Sequence, residues 1–257
     1  VEILDRNTLE SKGTITGFKS PRQAINLNDG YIYVSDWGSN AIYKVNVSAS
    51  LIVDSLKNCN GPEGMFLADG KLFAANSGGY VLDSTVSIYN LNNMTHEGNI
   101  QVGINPIEII DDAVGNLWVL CSGYSDWNGT GGDRYSSLIN FDPKTSNILA
   151  DYTNSALTDH PSKLRSNLSG NKLYFIQDSY VGNVMEFSIN QLNYPTQPFI
   201  SHPAYGLAID GANGNLLVLD ALDYQSPGKA LLYSENGTII DSSTVGLIPS
   251  VAINTMY

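Results

Sequence analysis

The sequence predicts an all-β fold, a β-propeller of four-stranded antiparallel blades forming a single domain over residues 1–257. Three observations carry that expectation. A Pro, a short apolar run, a polar turn with Gly and a second strand-like run recur in that order. They start at Pro21, Pro62, Pro106, Pro161 and Pro203, and a sixth copy starts at Pro249, with spacings of 41, 44, 55, 42 and 46 residues. Each unit adds two further strand-like runs, and four short strands in ~40–45 residues make a propeller blade. No stretch repeats its apolar residues at the three-and-four spacing of a helix.

The elements follow in order. Residues 1–18, VEILDRNTLESKGTITGF, match the third and fourth strands of a blade. First strands read PRQAINLNDG, PEGMFLADG, PIEIIDDAVG, PSKLRSNLSG and PAYGLAIDGANG. Second strands read YIYVSD, KLFAAN, NLWVLC, KLYFIQ and NLLVLD, and third strands AIYKVNV, TVSIYNL, SLINFDP, VMEFSIN and ALLYSEN. The second and third strands show the period-2 alternation of a half-buried antiparallel sheet. Fourth strands vary more, as in SLIVDSL and TIIDSST. Five complete blades therefore run from about residue 19 to 246, with partial blades at both termini, Leu247–Tyr257 matching a first strand. Either a sixth blade closes with three strands, or the complete ring is larger and includes upstream residues. The longest unit holds an inserted loop, Ser122–Tyr135.

Composition narrows the function. Charged residues are 15% of the chain, against ~25% in an average soluble domain, and hydrophobic ones are 42%. A net charge of −12 repels phosphate backbones and anionic membrane surfaces, so nucleic acid is not an expected partner. No window approaches the ~18 uncharged apolar residues of a membrane span. Cys59 and Cys121 exclude a disulfide-rich scaffold; two buried thiols are expected, with a single bridge as the alternative. Low charge and many Asn fit an exported protein. Glycosylation sequons stand at Asn46, Asn93, Asn128, Asn167 and Asn236, although an Asn-rich chain produces several by chance.

The segments YVSDWGSNAIYKVN, GPEGMFLADGKLFAANSG and STVSIYNLNN resemble the YVTN or YncE-like β-propellers. The opening VEILDRNTLESKGTITGFKSPRQA resembles a branch of exported surface lipoproteins of Bacteroidetes. That resemblance implies a seven-bladed ring whose N-terminal strands are absent from this sequence, with six blades as the alternative. It also implies a cell-surface or periplasmic location. Some members capture cobalamin at the outer membrane and pass it to a TonB-dependent transporter; others have no assigned ligand.

Propeller geometry puts the loops entering the first strand and the loops between second and third strands on one face. Those loops pool Trp37, Tyr80, Tyr124, Trp127, Tyr135, Tyr180, Tyr205 and Tyr224. Aromatic-rich loops on a rigid scaffold suit a large, flat or sugar-like ligand, while any one ring can instead cover a blade edge. Arg22, Arg134 and Lys163 would pair with anionic or carbonyl groups. The Ser122–Tyr135 loop is the strongest local signal, because loops beyond ~12 residues are usually functional or disordered. Its Gly129, Gly131 and Gly132 are expected to give mobility. The first expectation is thus a non-enzymatic extracellular protein without a cofactor, binding a corrinoid or a glycan.

Two alternatives stand beside it. A calcium-dependent lactonase or lyase would use Glu63, Asn76, Glu108, Asp178 and Asp220 at the channel mouth. Against this, the aligned ends of the second strands (Asp36, Asn76, Cys121, Gln177, Asp220) are a mixed set that reads better as turn caps. His96 falls in an outer strand, and His160 and His202 precede repeat prolines, where a turn role is expected. No GxSxG, HExxH or paired-cysteine motif is present. The other alternative is a protein-interaction scaffold.

Overall fold

The computed structural model describes residues 1–27, 29–129 and 131–252. These residues form strands joined by turns, and their only helical element is a short 3-10 turn, Trp37–Ser39. A two-stranded sheet comes first, β1 (Glu2–Leu4) and β2 (Ser11–Thr14). The first four-stranded sheet is β3 (Pro21–Asn26), β4 (Ile32–Asp36), β5 (Ala41–Asn46) and β6 (Leu51–Leu56). The second is β7 (Pro62–Ala68), β8 (Lys71–Asn76), β9 (Thr85–Asn90) and β10 (Thr95–Gln101). The third is β11 (Pro106–Asp111), β12 (Leu117–Cys121), β13 (Ser137–Phe141) and β14 (Ile148–Thr153). The fourth is β15 (Ser162–Ser166), β16 (Lys172–Ile176), β17 (Gly182–Ser188) and β18 (Ile200–Ala204). The fifth is β19 (Gly206–Ile209), β20 (Leu216–Asp220), β21 (Pro227–Tyr233) and β22 (Ile239–Leu247). All run in chain order as antiparallel meanders, which is the β-propeller fold that the repeat predicts. Six sheets among the described residues agree with a six-bladed count.

The middle strands depart from the expected alternation. Leu117–Cys121 and Ser137–Phe141 are buried at every position, and Lys71–Asn76 at all but the first. Alternation appears instead in outer strands such as Thr95–Gln101 and Ile148–Thr153. The physical reason is that stacked blades cover both faces of a middle strand, which then reads as a continuous apolar run.

The chain divides into two compact units, Val1–Ile109 with Pro143–Ser146, and Ile110–Asp142 with Asn147–Tyr257. In the first unit, Tyr33, Ile42 and Leu56 of one blade pack on Met65, Leu72 and Tyr89 of the next. There the β1–β2 hairpin lays Val1, Ile3 and Ile15 on Val34 and Val45, so residues 1–18 sit beside the blade that starts at Pro21, as expected. In the second unit, Tyr174, Ile176 and Val184 pack on Leu207, Leu216 and Val218. Trp118, which is 2% exposed, stacks on Tyr152 and meets Phe187 of the neighbouring blade. Its indole N–H donates to Asp112 Oδ2 at 2.8 Å. Cys59 and Cys121 are buried and no disulfide joins them.

Two boundaries need correction. Pro203 does not open a first strand: it lies in β18, and β19 starts at Gly206 with only Tyr205 between them. A fourth strand that runs almost directly into a first strand leaves no turn signal to separate them. At the C-terminal end, Leu247 closes β22 rather than opening a new strand, and Pro249–Ala252 lie in no strand. Residues 253–257 of that expected strand are outside the described residues. No helix among the described residues is long and apolar enough to cross a membrane.

Candidate functional site

Second strands end in polar residues that tie down incoming loops. Asp36 Oδ2 accepts the Lys19 and Ser20 N–H groups at 2.8 and 3.1 Å, and its Oδ1 accepts Ser39 N–H at 2.9 Å, capping the 3-10 turn. Asn76 Oδ1 accepts Asn60 N–H at 3.3 Å, and its amide donates to Thr85 Oγ1 and Ser87 Oγ at 2.9 and 2.8 Å. Gln177 Nε2 donates to Asp159 Oδ2 at 2.9 Å. Asp220 Oδ2 lies 3.0 Å from His202 Nε2, and its Oδ1 accepts Leu222 N–H at 2.7 Å. Asp36, Asn76 and Asp220 therefore perform the cap role expected of them, whereas Gln177 bonds a side chain. His202 lies within β18, not in the expected turn, and pairs with the Asp220 carboxylate. His160 Nδ1 donates to the Ser122 carbonyl at 2.9 Å. His96, on β10, packs its ring against Tyr89.

In the first unit, Arg22, Glu63, Trp37 and Tyr80 come together. The β3–β4 and β7–β8 registers both slip just after the repeat proline, at Pro21/Ala24 and Pro62/Met65. Such bulges re-aim side chains, and Arg22 and Glu63 occupy them. Arg22 Nε meets Glu63 Oε1 at 3.0 Å while its guanidinium lies 4.1 Å from the Trp37 ring centroid. Tyr80 meets the same indole edge-on with centroids 6.2 Å apart. The loop can come this close because of Gly61, whose φ is +55° and where a Cβ would stand 2.0 Å from Gly79 N. Glu108 is half-buried, with its Cα 2.7 Å from where a Cβ on Gly64 would stand.

In the second unit, Tyr180, Tyr205 and Tyr224 line a cavity of about 190 Å³ with Val181, Pro203, Leu222 and Asp220. Tyr205 and Tyr224 pack edge-to-face at 5.4 Å, and the Tyr224 hydroxyl donates to the Tyr180 carbonyl at 2.5 Å. The contact joins loops of two blades, 44 residues apart in sequence. Leu222 and Tyr224 have φ of +50° and +62°, a conformation tied by Asp223, which accepts Gln225 and Ser226 N–H at 3.0 and 2.6 Å. Burial, then the neighbouring Tyr205 and Asp220, pushes the Tyr224 hydroxyl above the usual phenol range. Val181 and Leu222 are wall residues that sequence reasoning missed; the only hint was an apolar residue inside each turn-forming segment.

The inserted loop stands on its own contacts. Tyr124 and Arg134 exchange both backbone hydrogen bonds at 3.1 and 2.9 Å. Asp126 Oδ2 accepts Gly131 and Gly132 N–H at 2.7 Å each, and Asp133 Oδ1 accepts Asp126 N–H at 2.8 Å. Two successive amides thus converge on one carboxylate, with Gly132 in the left-handed region at φ +78°. Trp127 is 81% exposed, Tyr135 is exposed and Tyr124 is half-buried. Arg134 bonds to the Gly132 carbonyl within the loop. Lys163 sits in the bulge of β15 with φ of +61°.

Among the described residues, no three His, Cys, Asp or Glu side chains converge as a cation would require. The suggested calcium ligands have other partners: Glu63 pairs with Arg22, Asn76 and Asp220 cap loops, and Asp178 Oδ1 accepts Tyr180 N–H at 3.0 Å.

No family model matches this chain, and no curated protein matches it. Solved structures do. The chain is similar to Kuenenia stuttgartiensis hydrazine synthase, with a TM-score of 0.67 and 14% identity, over 96% of this chain and 81% of that one. It is also similar to a quinonprotein alcohol dehydrogenase-like protein from Bacteroides thetaiotaomicron, with a TM-score of 0.69 and 14% identity. That match covers 95% of this chain and 60% of the other, so this chain spans less than two thirds of it. At such identity these likenesses show the fold alone.

Proposed function

We propose that this chain is a non-enzymatic binding protein that captures a bulky ligand, a glycan or a corrinoid, in the cleft of Tyr180, Tyr205 and Tyr224. One observation carries the reading: three tyrosines from two blades converge on an open cavity, and the Tyr224 hydroxyl locks the two loops together. Aromatic walls with a few fixed polar groups are the usual composition of a ligand pocket. Apolar ring surface left in water costs ~25 cal/mol per Å², which a ligand covering the cleft would recover. The carboxylate in its lining, Asp220, is paired with His202. Low charge and Asn-rich loops favour an exported setting for this work.

Isothermal titration with cyanocobalamin and with neutral tetrasaccharides tests the reading. The wild type is expected to bind at least one, and Tyr224→Ala to weaken that binding by about 1–3 kcal/mol, the range of a modest anchor. Tyr224→Phe, which removes only the hydroxyl contact to Tyr180, is expected to fall between the two. Undiminished binding by Tyr224→Ala would place the ligand elsewhere.

A further inference from the structure

A second cavity, about 320 Å³, adjoins the tyrosine cleft and shares Val181 and Pro203 with it. Its chemistry is different. Thr158, Asp159, Gln177, Asp178 and Asn183 line it, and no aromatic ring does. Gly182 sets the geometry: a Cβ there would stand 2.4 Å from Asp178 N, so only the bare backbone lets Asn183 come up beside Asp178. The β17–β18 register also shifts between Gly182 and Val184, which leaves Asn183 at the irregular position where side chains are re-aimed. Asp178 Oδ1 is held by Tyr180 N–H. Among the described residues, its second oxygen and the Asn183 side-chain amide make no hydrogen bond. Together they present acceptors and a donor to the cavity.

We infer that the ligand is a neutral oligosaccharide spanning both cavities, one sugar ring packed on the tyrosines and the next hydrogen-bonded by Gln177, Asp178 and Asn183. The inference rests on the reading of the tyrosine cleft as the binding site. A pyranose has an apolar C–H face that stacks on a tyrosine and a rim of hydroxyls that suits planar carboxylates and amides. Size favours rings taken one at a time. The two cavities lie at or below the lower edge of the ~300–1,000 Å³ that drug-sized ligands fill, too small to enclose a macrocycle. Charge selects within the sugars. Asp159, Asp178 and Asp220 line the two cavities with no Lys or Arg beside them, and the chain carries −12, so uronates and sialylated glycans are repelled.

The test uses the full chain with cellotetraose, mannotetraose and maltotetraose, the matching methyl glycosides, tetragalacturonate and cyanocobalamin. Calorimetry reads the tetrasaccharides and saturation-transfer NMR the methyl glycosides. At least one neutral tetrasaccharide is expected to bind and tetragalacturonate to bind far more weakly. Asn183→Ala is expected to weaken the tetrasaccharide about tenfold, the loss of one or two hydrogen bonds, and to leave its methyl glycoside unchanged. Tyr224→Ala is expected to weaken both. Wild-type binding of the methyl glycoside by Asn183→Ala, with an unchanged unfolding midpoint, excludes a folding defect. Equal binding of tetragalacturonate, an Asn183→Ala variant with undiminished tetrasaccharide affinity, or no neutral tetrasaccharide binding would overturn the inference. If cyanocobalamin alone binds and Tyr224→Ala abolishes it, the cleft stands and the sugar assignment falls. If Tyr224→Ala changes no binding at all, the cleft itself is the wrong site.

Discussion

The two aromatic clusters look alike in sequence and differ in what covers the rings. Around Trp37 the chain supplies its own cover: the Arg22 guanidinium lies over one face of the indole and Tyr80 closes an edge. Around Tyr224 the rings meet each other and leave a cavity between them. Trp127 is a third case, exposed on a loop that is tied to itself. Counting loop aromatics therefore does not find a site. A cluster whose faces are already packed contributes to stability, and one whose faces surround a void is available to a ligand.

This contrast can be broken by substitution. Trp37→Ala should have the largest effect, about 2–4 kcal/mol of fold stability, less than a fully buried tryptophan because the ring is only half-buried. Chemical denaturation measures it, and ligand affinity should be unchanged; an affinity loss without a stability loss would reverse the assignment of the two clusters. Tyr224→Ala should do the opposite, losing about 1–3 kcal/mol of binding while stability shifts by less than ~1 kcal/mol. Arg22→Ala should be smaller, about 0.5–1 kcal/mol of stability, since its side chain is 41% exposed and both the stacking and the Glu63 pair are screened by water. Trp127→Ala should change the unfolding midpoint least, within ~0.5 kcal/mol, and a larger drop would show that the indole is packed.

Acid sharpens the same contrast. Asp223 holds the Tyr224 loop by accepting Ser226 and Gln225 N–H, and those bonds depress its carboxyl below the ordinary aspartate value of 3.8. A depressed carboxylate stabilises the folded loop above the unfolded pKa and loses that contribution as pH falls through the folded one. The contribution of Asp223 to the folded loop is expected to be intact above the ordinary aspartate value of 3.8 and to be lost as pH falls through its lower folded-state value, weakening binding at the cleft with it. A pH series of titrations showing a midpoint above 3.8 would point to a different group.

Much of the fold was legible because blades are local. The Pro, Gly-turn and strand spacing marked second and third strands to within two residues, as Lys71–Asn76 and Ala41–Asn46 show. The exception is the last third strand, read as ALLYSEN, where β21 begins three residues earlier at Pro227. The cap role of Asp36, Asn76 and Asp220 was legible too, since a cap needs only its own turn. Pro203 misled because a fourth strand flows into the next first strand with no turn between. The clusters were illegible for a different reason. Arg22 reaches Glu63 across 41 residues and Tyr224 reaches Tyr180 across 44, so their pairing depends on how blades stack and not on any local pattern. Asn183 gave no signal at all, because its position comes from a bulge and from the backbone approach that Gly182 permits.

Hydrogen–deuterium exchange with and without bound ligand tests the central claim most directly. With a saturating tetrasaccharide or cyanocobalamin, whichever the protein binds, new amide protection is expected in Asp178–Val181 and Ala221–Ser226. The Trp37–Asn40 and Tyr80–Asp83 segments should exchange as they do in the free protein. Protection confined to those two segments, with the tyrosine loops unchanged, would contradict the account.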